Sequence, residues 1–236
     1  MELLSAIGYP VADIDAYQTL AELVFDRGTG HKAGENFYLQ YHDPSGAELW
    51  LQVDIGSAFV GMNPFYVPTR ATRVELHKPV FRHEGTMDGA FEATLAGFPI
   101  VFDMPDAHML PPIKLPLTTE VLLSAFLVGP LHLAEVHETV LQHLGLPEDP
   151  AHHILQGQVS QVLLRTNRQS GQSFRWIEVG LPGGSIELVA SPDDAPATQI
   201  RPGDWIKGTC WLVGRVQVSP EAQAHTGFLQ RVFWGG

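Results

Sequence analysis

The sequence predicts an α+β fold: an amino-terminal β-α-β-β unit over residues 1–69, then a larger, mainly antiparallel β-barrel-like domain with one helix over residues 70–236. Three observations predict it. Apolar residues alternate with polar ones through most segments after residue 70, the period of a half-buried strand. One hairpin is written plainly around Asp43-Pro44-Ser45-Gly46. A stretch rich in Gly, Pro and Asn over 56–70 separates the two regions and reads as a connector.

In chain order, residues 4–12 read as a short strand. Asp15 is the expected N-cap of a helix, with Gln18 three residues on, and Tyr17, Leu20, Ala21 and Val24 give it one apolar stripe. Gly28 and Gly30 stop it. The hairpin follows. Pairing His42 with Ala47 would mix polar and apolar residues on both faces. A bulge at Gly46 instead pairs His42 with Glu48, Gln40 with Trp50 and Tyr38 with Gln52, which separates an apolar from a polar-aromatic face.

Beyond residue 70, strands are expected over Arg73–His83, Ala90–Leu95 and Pro99–Asp103, with Gly97 in a turn. Four prolines over Met104–Thr118 predict an irregular crossing. Glu120–Val128 is apolar enough to be a buried strand or a helix. Leu133, Val136, Val140, Leu141 and Leu144 form a stripe that predicts a helix over 133–144, ended by Gly145 and Pro147. A meander closes the chain: Leu155–Thr166, Ser173–Val179, Ser185–Ala190 and Trp205–Val218. Gly208 and Gly214 inside the last strand mark tight barrel bends. Several short strands with one intervening helix suggest a barrel of OB type.

Composition narrows the function. The 236 residues carry 14 Lys+Arg against 26 Asp+Glu, a formal net charge of −12. The imbalance is local: residues 1–150 hold −13 and residues 151–236 hold +1. Such a surface repels nucleic acid and anionic lipid and suits a basic protein partner or a small molecule. The one cysteine, Cys210, excludes an intramolecular disulfide and a multi-cysteine metal site, and reads as a buried small hydrophobe. Neither a signal peptide nor a membrane span is expected, so the expected location is cytoplasmic. Phosphate-binding, dinucleotide-binding and nucleophile-elbow motifs are absent.

Two constellations carry candidate chemistry. The first is the polar-aromatic hairpin face, His42, Glu48, Trp50, Tyr38 and Gln52, which can line a small-molecule pocket or stand as an ordinary exposed sheet face. The second is Glu75 with His77, neighbours on one strand face. They form a carboxylate–histidine acid/base pair or two metal ligands in one reading and the solvated side of a sheet in the other. His132, His137 and His143 are spaced too far apart on one helix to share an ion. His152 and His153 are adjacent and read as a loop pair. Trp205 and Trp211 are interleaved with Lys207 and Arg215 and lie near Phe174 and Trp176. This group could stack single-stranded bases or pack against the amino-terminal unit.

Two family resemblances follow. Residues 4–55, with Asp43-Pro44-Ser45-Gly46-Ala47-Glu48-Leu49-Trp50, resemble a half-module of the vicinal-oxygen-chelate (glyoxalase-like) superfamily. That resemblance implies a divalent metal, with Glu48 in the place of the family's late-strand glutamate. Ile7-Gly8-Tyr9 stands where its strand-one histidine lies, a departure from the family's metal site; a metal reading uses Glu48 with His42. Asn167 with Gly171, then Gly203-Asp204-Trp205-Ile206 and Trp211-Leu212-Val213-Gly214-Arg215, is similar to the carboxy-terminal barrel of uncharacterised bacterial proteins, which implies a fold and no activity. The functional expectation is a non-catalytic, acidic binding or interaction protein without a cofactor. A glyoxalase-like metal enzyme or small-ligand binder is the alternative, and single-strand nucleic-acid binding by the barrel is the third.

Overall fold

The computed structural model describes residues 2–33, 36–54, 56, 59–80, 89–146, 151–193 and 199–217. The chain begins with a helix where a strand is expected. Helix α1 spans Glu2–Ser5 and is closed by Gly8, whose φ is 82°. The Gly8 N–H donates to Ser5 O and the Tyr9 N–H to Leu4 O, the bond pair of a Schellman stop. Helix α2 spans Ile14–Arg27. Its N-cap is Asp13 rather than Asp15: the Asp13 Oδ1 accepts the Ala16 N–H at 2.9 Å, and Asp15 falls in the first turn.

Four antiparallel strands follow in chain order: β1 (Thr29–Ala33), β2 (Asn36–His42), β3 (Ala47–Val53) and β4 (Phe59–Tyr66). The unit is therefore α-α-β-β-β-β, not β-α-β-β, and the expected connector contains β4. Gly61, Asn63 and Pro64 disguise that strand, but a proline is tolerated at a sheet edge, where its missing N–H costs no ladder bond. The hydroxyl of Tyr17 takes the Met62 N–H at 3.1 Å, which blunts this edge. The β2–β3 register pairs His42 with Glu48, Gln40 with Trp50 and Tyr38 with Gln52. Gly46, at φ 96°, makes the turn that permits it.

The second sheet contains β5 (Thr72–Val80), β6 (Gly89–Leu95), β7 (Phe98–Met104), β8 (Leu117–Leu127), β9 (His132–Leu133), β10 (Val140–His143), β11 (His152–Thr166), β12 (Ser173–Leu181), β13 (Gly184–Ala190) and β14 (Trp205–Gln217). Hydrogen bonds close a ring of eight strands, β11-β12-β13-β8-β5-β6-β7-β14 and back to β11. The long β8 and β14 also pair with each other across this ring. Strands make up 57 % of the described residues, so the architecture is a β barrel with a covering β sheet and few helices, not a balanced α+β fold. No described helix is long and apolar enough to cross a membrane.

The expected segment Glu120–Val128 is strand as far as Leu127, within β8. The helix expected over 133–144 is absent; the short strands β9 and β10 lie there instead. Of its predicted stripe only Leu141 is buried, while Leu133 and Val136 are each 63 % exposed. Residues 140–143 pair with β11, and the Gln156 side chain donates to the Val136 and Glu138 carbonyls at 3.1 and 2.8 Å. An open sheet edge and a side-chain donor thus outcompete helical periodicity. His152 and His153 begin β11 rather than forming a loop pair. The carboxy-terminal end of the expected strand 73–83 lies outside the described residues.

The barrel interior holds Leu76, Phe102, Leu123, Ile177, Leu188 and Leu212, with Cys210 among them. Burial pushes the Cys210 thiol up to about 12, which makes it inert. The four-stranded sheet lies on the barrel's outer wall. Trp50, Phe65 and Ile7 share one cluster there with Phe126, Trp176, Val189 and Trp211, and α2 covers the sheet's far side.

Gly214 is set by packing. A Cβ there would lie 2.6 Å from the Phe102 ring and 2.9 Å from Val121, both core side chains. Gly214→Ala is expected to lower the unfolding free energy by about 1–3 kcal/mol, read as a lower urea midpoint with unchanged slope.

Candidate functional site

The five hairpin residues predicted from the sequence do come together, but they do not line an open pocket. Their face of β2 and β3 turns toward the barrel. Trp50 is 0 % exposed, Tyr38, Gln52 and Glu48 are also buried, and only His42 reaches solvent, its side chain 55 % exposed. The centre is Glu48. Its Oε1 lies 3.2 Å from His42 Nδ1, and its Oε2 accepts the Trp50 indole N–H at 2.9 Å. The same Oε2 is 3.4 Å from Nη1 of Arg215, which projects from β14.

Arg215 joins the two layers. Its guanidinium lies over the Trp50 ring at 4.6 Å and the Phe65 ring at 5.7 Å, and its Nε donates to Asp106 Oδ2 at 2.9 Å. Burial raises the Asp106 carboxyl above its ordinary value, against the opposing pull of Arg215. His31 also stacks on Trp50, at 5.6 Å between ring centroids, and its Nε2 lies 3.0 Å from Gln40 Oε1.

The arrangement recurs along the seam. The Trp176 indole donates to Glu187 Oε2 at 2.5 Å, and the other oxygen of Glu187 accepts both the backbone N–H and the hydroxyl of Thr69. Arg165 lies 5.0 Å from the Trp176 ring and 5.7 Å from Tyr66, and donates to Ser45 O at 3.2 Å. A third indole, Trp211, donates to Asp103 Oδ2 at 2.5 Å. Three buried tryptophans are thus each fixed by a carboxylate, the arrangement a buried indole N–H requires.

The hairpin turn is anchored as well. Asp43 accepts the Ser45 N–H, and across the seam the Arg168 and Gln169 N–H groups at 3.1 and 3.0 Å. Burial alone would raise its carboxyl, but the hydrogen bonds from Ser45, Arg168 and Gln169 outweigh that and hold it below its ordinary value. Asn167 donates to Ile7 O at 3.1 Å. Asn167 and Gly171, part of the barrel resemblance, thus shape the loop that receives the hairpin turn.

Beside this network lies a small cavity of about 60 Å³, lined by Asn63, Asp103, Met104, Trp211 and Val213. It sits where β4 meets the barrel rim. Of these residues only Trp211 belongs to a constellation predicted from the sequence.

The remaining candidates fall elsewhere. Glu75 and His77 are both exposed on β5, and His77 Nε2 lies 2.7 Å from Thr94 Oγ1, so they stand on a solvated sheet face. His137 stacks on Trp205 at 5.3 Å, and the His143 ring lies tilted against His153 at 5.2 Å. Among the described residues no three His, Cys, Asp or Glu side chains are grouped to hold a metal ion. The candidate base-stacking face is divided: Trp211, Trp176, Phe174 and Arg215 pack under the amino-terminal sheet, while Trp205 and Lys207 lie beyond it.

Sequence reasoning missed Arg165, Asp103, Asp106 and Glu187 as partners. Arg165, Asp103 and Glu187 lie on strands and Asp106 in the turn after β7, but their partners lie about a hundred residues away in several cases. Comparison of the chain with protein-family models, with curated proteins and with solved structures finds no match.

Proposed function

We propose that the chain is a non-catalytic, acidic binding protein whose partner is a basic protein. The observation that carries this reading is the division of its carboxylates. Glu48, Asp43 and Glu187 are engaged by donors within the seam, whereas Asp15, Glu22, Asp26, Glu75, Glu120, Glu135 and Glu138 stand exposed. The buried set holds the sheet on the barrel; the exposed set supplies the negative field that attracts a basic partner. A cytoplasmic location is part of this reading. Division at residues 69 and 70 belongs to the same reading. So does an OB-type label, supported by the five-stranded ring β8-β14-β11-β12-β13.

The test uses a fluorescein-labelled amphipathic peptide of lysine and leucine as probe. The full chain is expected to bind it at about 20 mM salt and to lose at least about tenfold in affinity by about 500 mM, where screening is strong. Absence of binding at low salt, or affinity indifferent to salt, overturns the reading. A second reading, a ligand of only a few atoms in the seam cavity, draws on the Trp211 and Asp103 wall. Native mass spectrometry of the purified chain decides it: an added mass supports it, and a bare polypeptide mass removes it.

A further inference from the structure

We propose that the docking surface is the outer face of α2 and that it takes a basic amphipathic protein segment; this rests on the acidic-binder reading above. The helix has a single buried stripe, centred on Val24 and flanked by Tyr17, Leu20 and Ala21. At about 100° per residue, Asp15, Glu22 and Asp26 fall within an arc of about 40° on the opposite side. All three are exposed, and none makes an ion pair among the described residues.

Asp15 suits the first turn, but the placement of the other two charges works against the helix. Glu22 and Asp26 are like charges at i, i+4, and Asp26 lies in the last turn, where the helix dipole disfavours an anion. Arg27, the basic residue of that turn, reaches away to Gln169 Oε1 at 3.3 Å. A surface that sacrifices local stability without a compensating bond serves something outside the fold.

Apolar anchors stand beside the acidic stripe. Ile14 is 62 % and Phe25 60 % exposed. They share one flank of the helix, about 20° apart in angle and about 16 Å apart along the axis. A row of anions edged by two apolar side chains complements a segment in which lysines or arginines alternate with aliphatic or aromatic residues. A second copy of this chain does not fit, because like charges would meet. Anionic lipid is repelled for the same reason.

The experiment titrates the lysine–leucine peptide into the full-length ¹⁵N-labelled chain. It compares the wild type with two triple variants: Asp15→Asn, Glu22→Gln, Asp26→Asn on α2, and Glu120→Gln, Glu135→Gln, Glu138→Gln elsewhere. The variants remove equal charge. Amide shifts confined to α2, about tenfold weaker binding by the first variant, less than twofold by the second, and a further loss with Phe25→Ala are expected. Equal weakening by both variants, or shifts away from α2, overturns the docking face and leaves the acidic-binder reading standing. No binding by the wild type overturns both. Unchanged circular dichroism of each variant shows that it folds.

Discussion

Arg215→Ala is expected to lower the unfolding free energy by about 3 kcal/mol, the order found when one member of a buried ion pair is removed. The reason is what remains. Glu48 keeps His42 and Trp50 but loses its guanidinium, and Asp106 loses the Nε donor that offsets its burial. The stacking of the guanidinium over Trp50 goes as well. Arg215→Lys keeps the charge but not the planar fork, so it is expected to recover less than half of the loss. Adding Glu48→Gln to Arg215→Ala is expected to cost less than the two single changes summed, because the neutral amide no longer needs the cation. Denaturant unfolding of the four proteins provides the cycle. Strict additivity would show that Arg215 and Glu48 do not act together.

Acid is expected to destabilise the fold through His153. Its ring is 0 % exposed, with Nδ1–H donating to Ala151 O at 3.0 Å and Nε2 accepting the Val101 N–H at 3.3 Å. Burial pushes its pKa down to about 4, with the Ala151 carbonyl opposing and the neighbouring His143 and His152 adding to the depression. A proton on Nε2 would face an N–H donor. Between pH 6.5 and about 4 the unfolded chain binds a proton at this position that the native chain refuses, so stability falls as pH falls. The contribution present above pH 6.5 amounts to about 3 kcal/mol, lost across that window. Urea midpoints of wild type and His153→Gln against pH provide the measurement. Carboxylates titrate in both proteins, so the difference between them isolates His153. A difference constant from pH 7 to pH 4 would refute the assignment.

Legibility tracks distance along the chain. The Asp43–Gly46 hairpin and its register are readable because the turn residues, the alternation and the pairing lie within one short segment. The β11–β12–β13 meander is readable for the same reason. By contrast, α1 is a single turn whose stop depends on Gly8, and β4 carries Gly61, Asn63 and Pro64 against its own propensity. Residues 133–144 have the helical period but are claimed by the edge of β11. The candidate site divides in the same way. Its local pair, His42 with Glu48, is evident, while the side chains that close over it, Arg215 and Asp106, come from segments that only the fold brings near. Exposure of the polar face is undecidable from residues 37–53, because what covers it lies on the barrel.

The place of β14 late in the chain governs the order in which the molecule is completed. This strand bonds to β7, β8 and β11 and bears Trp211 and Arg215. During synthesis, the sheet made from residues 29–66 leaves the ribosome long before the wall it rests on exists. Its Trp50 and Glu48 lack that cover until β14 has emerged. The closing of the barrel and the covering of that face therefore both come late in translation, so a chain stalled before β14 presents an aromatic surface to chaperones and proteases.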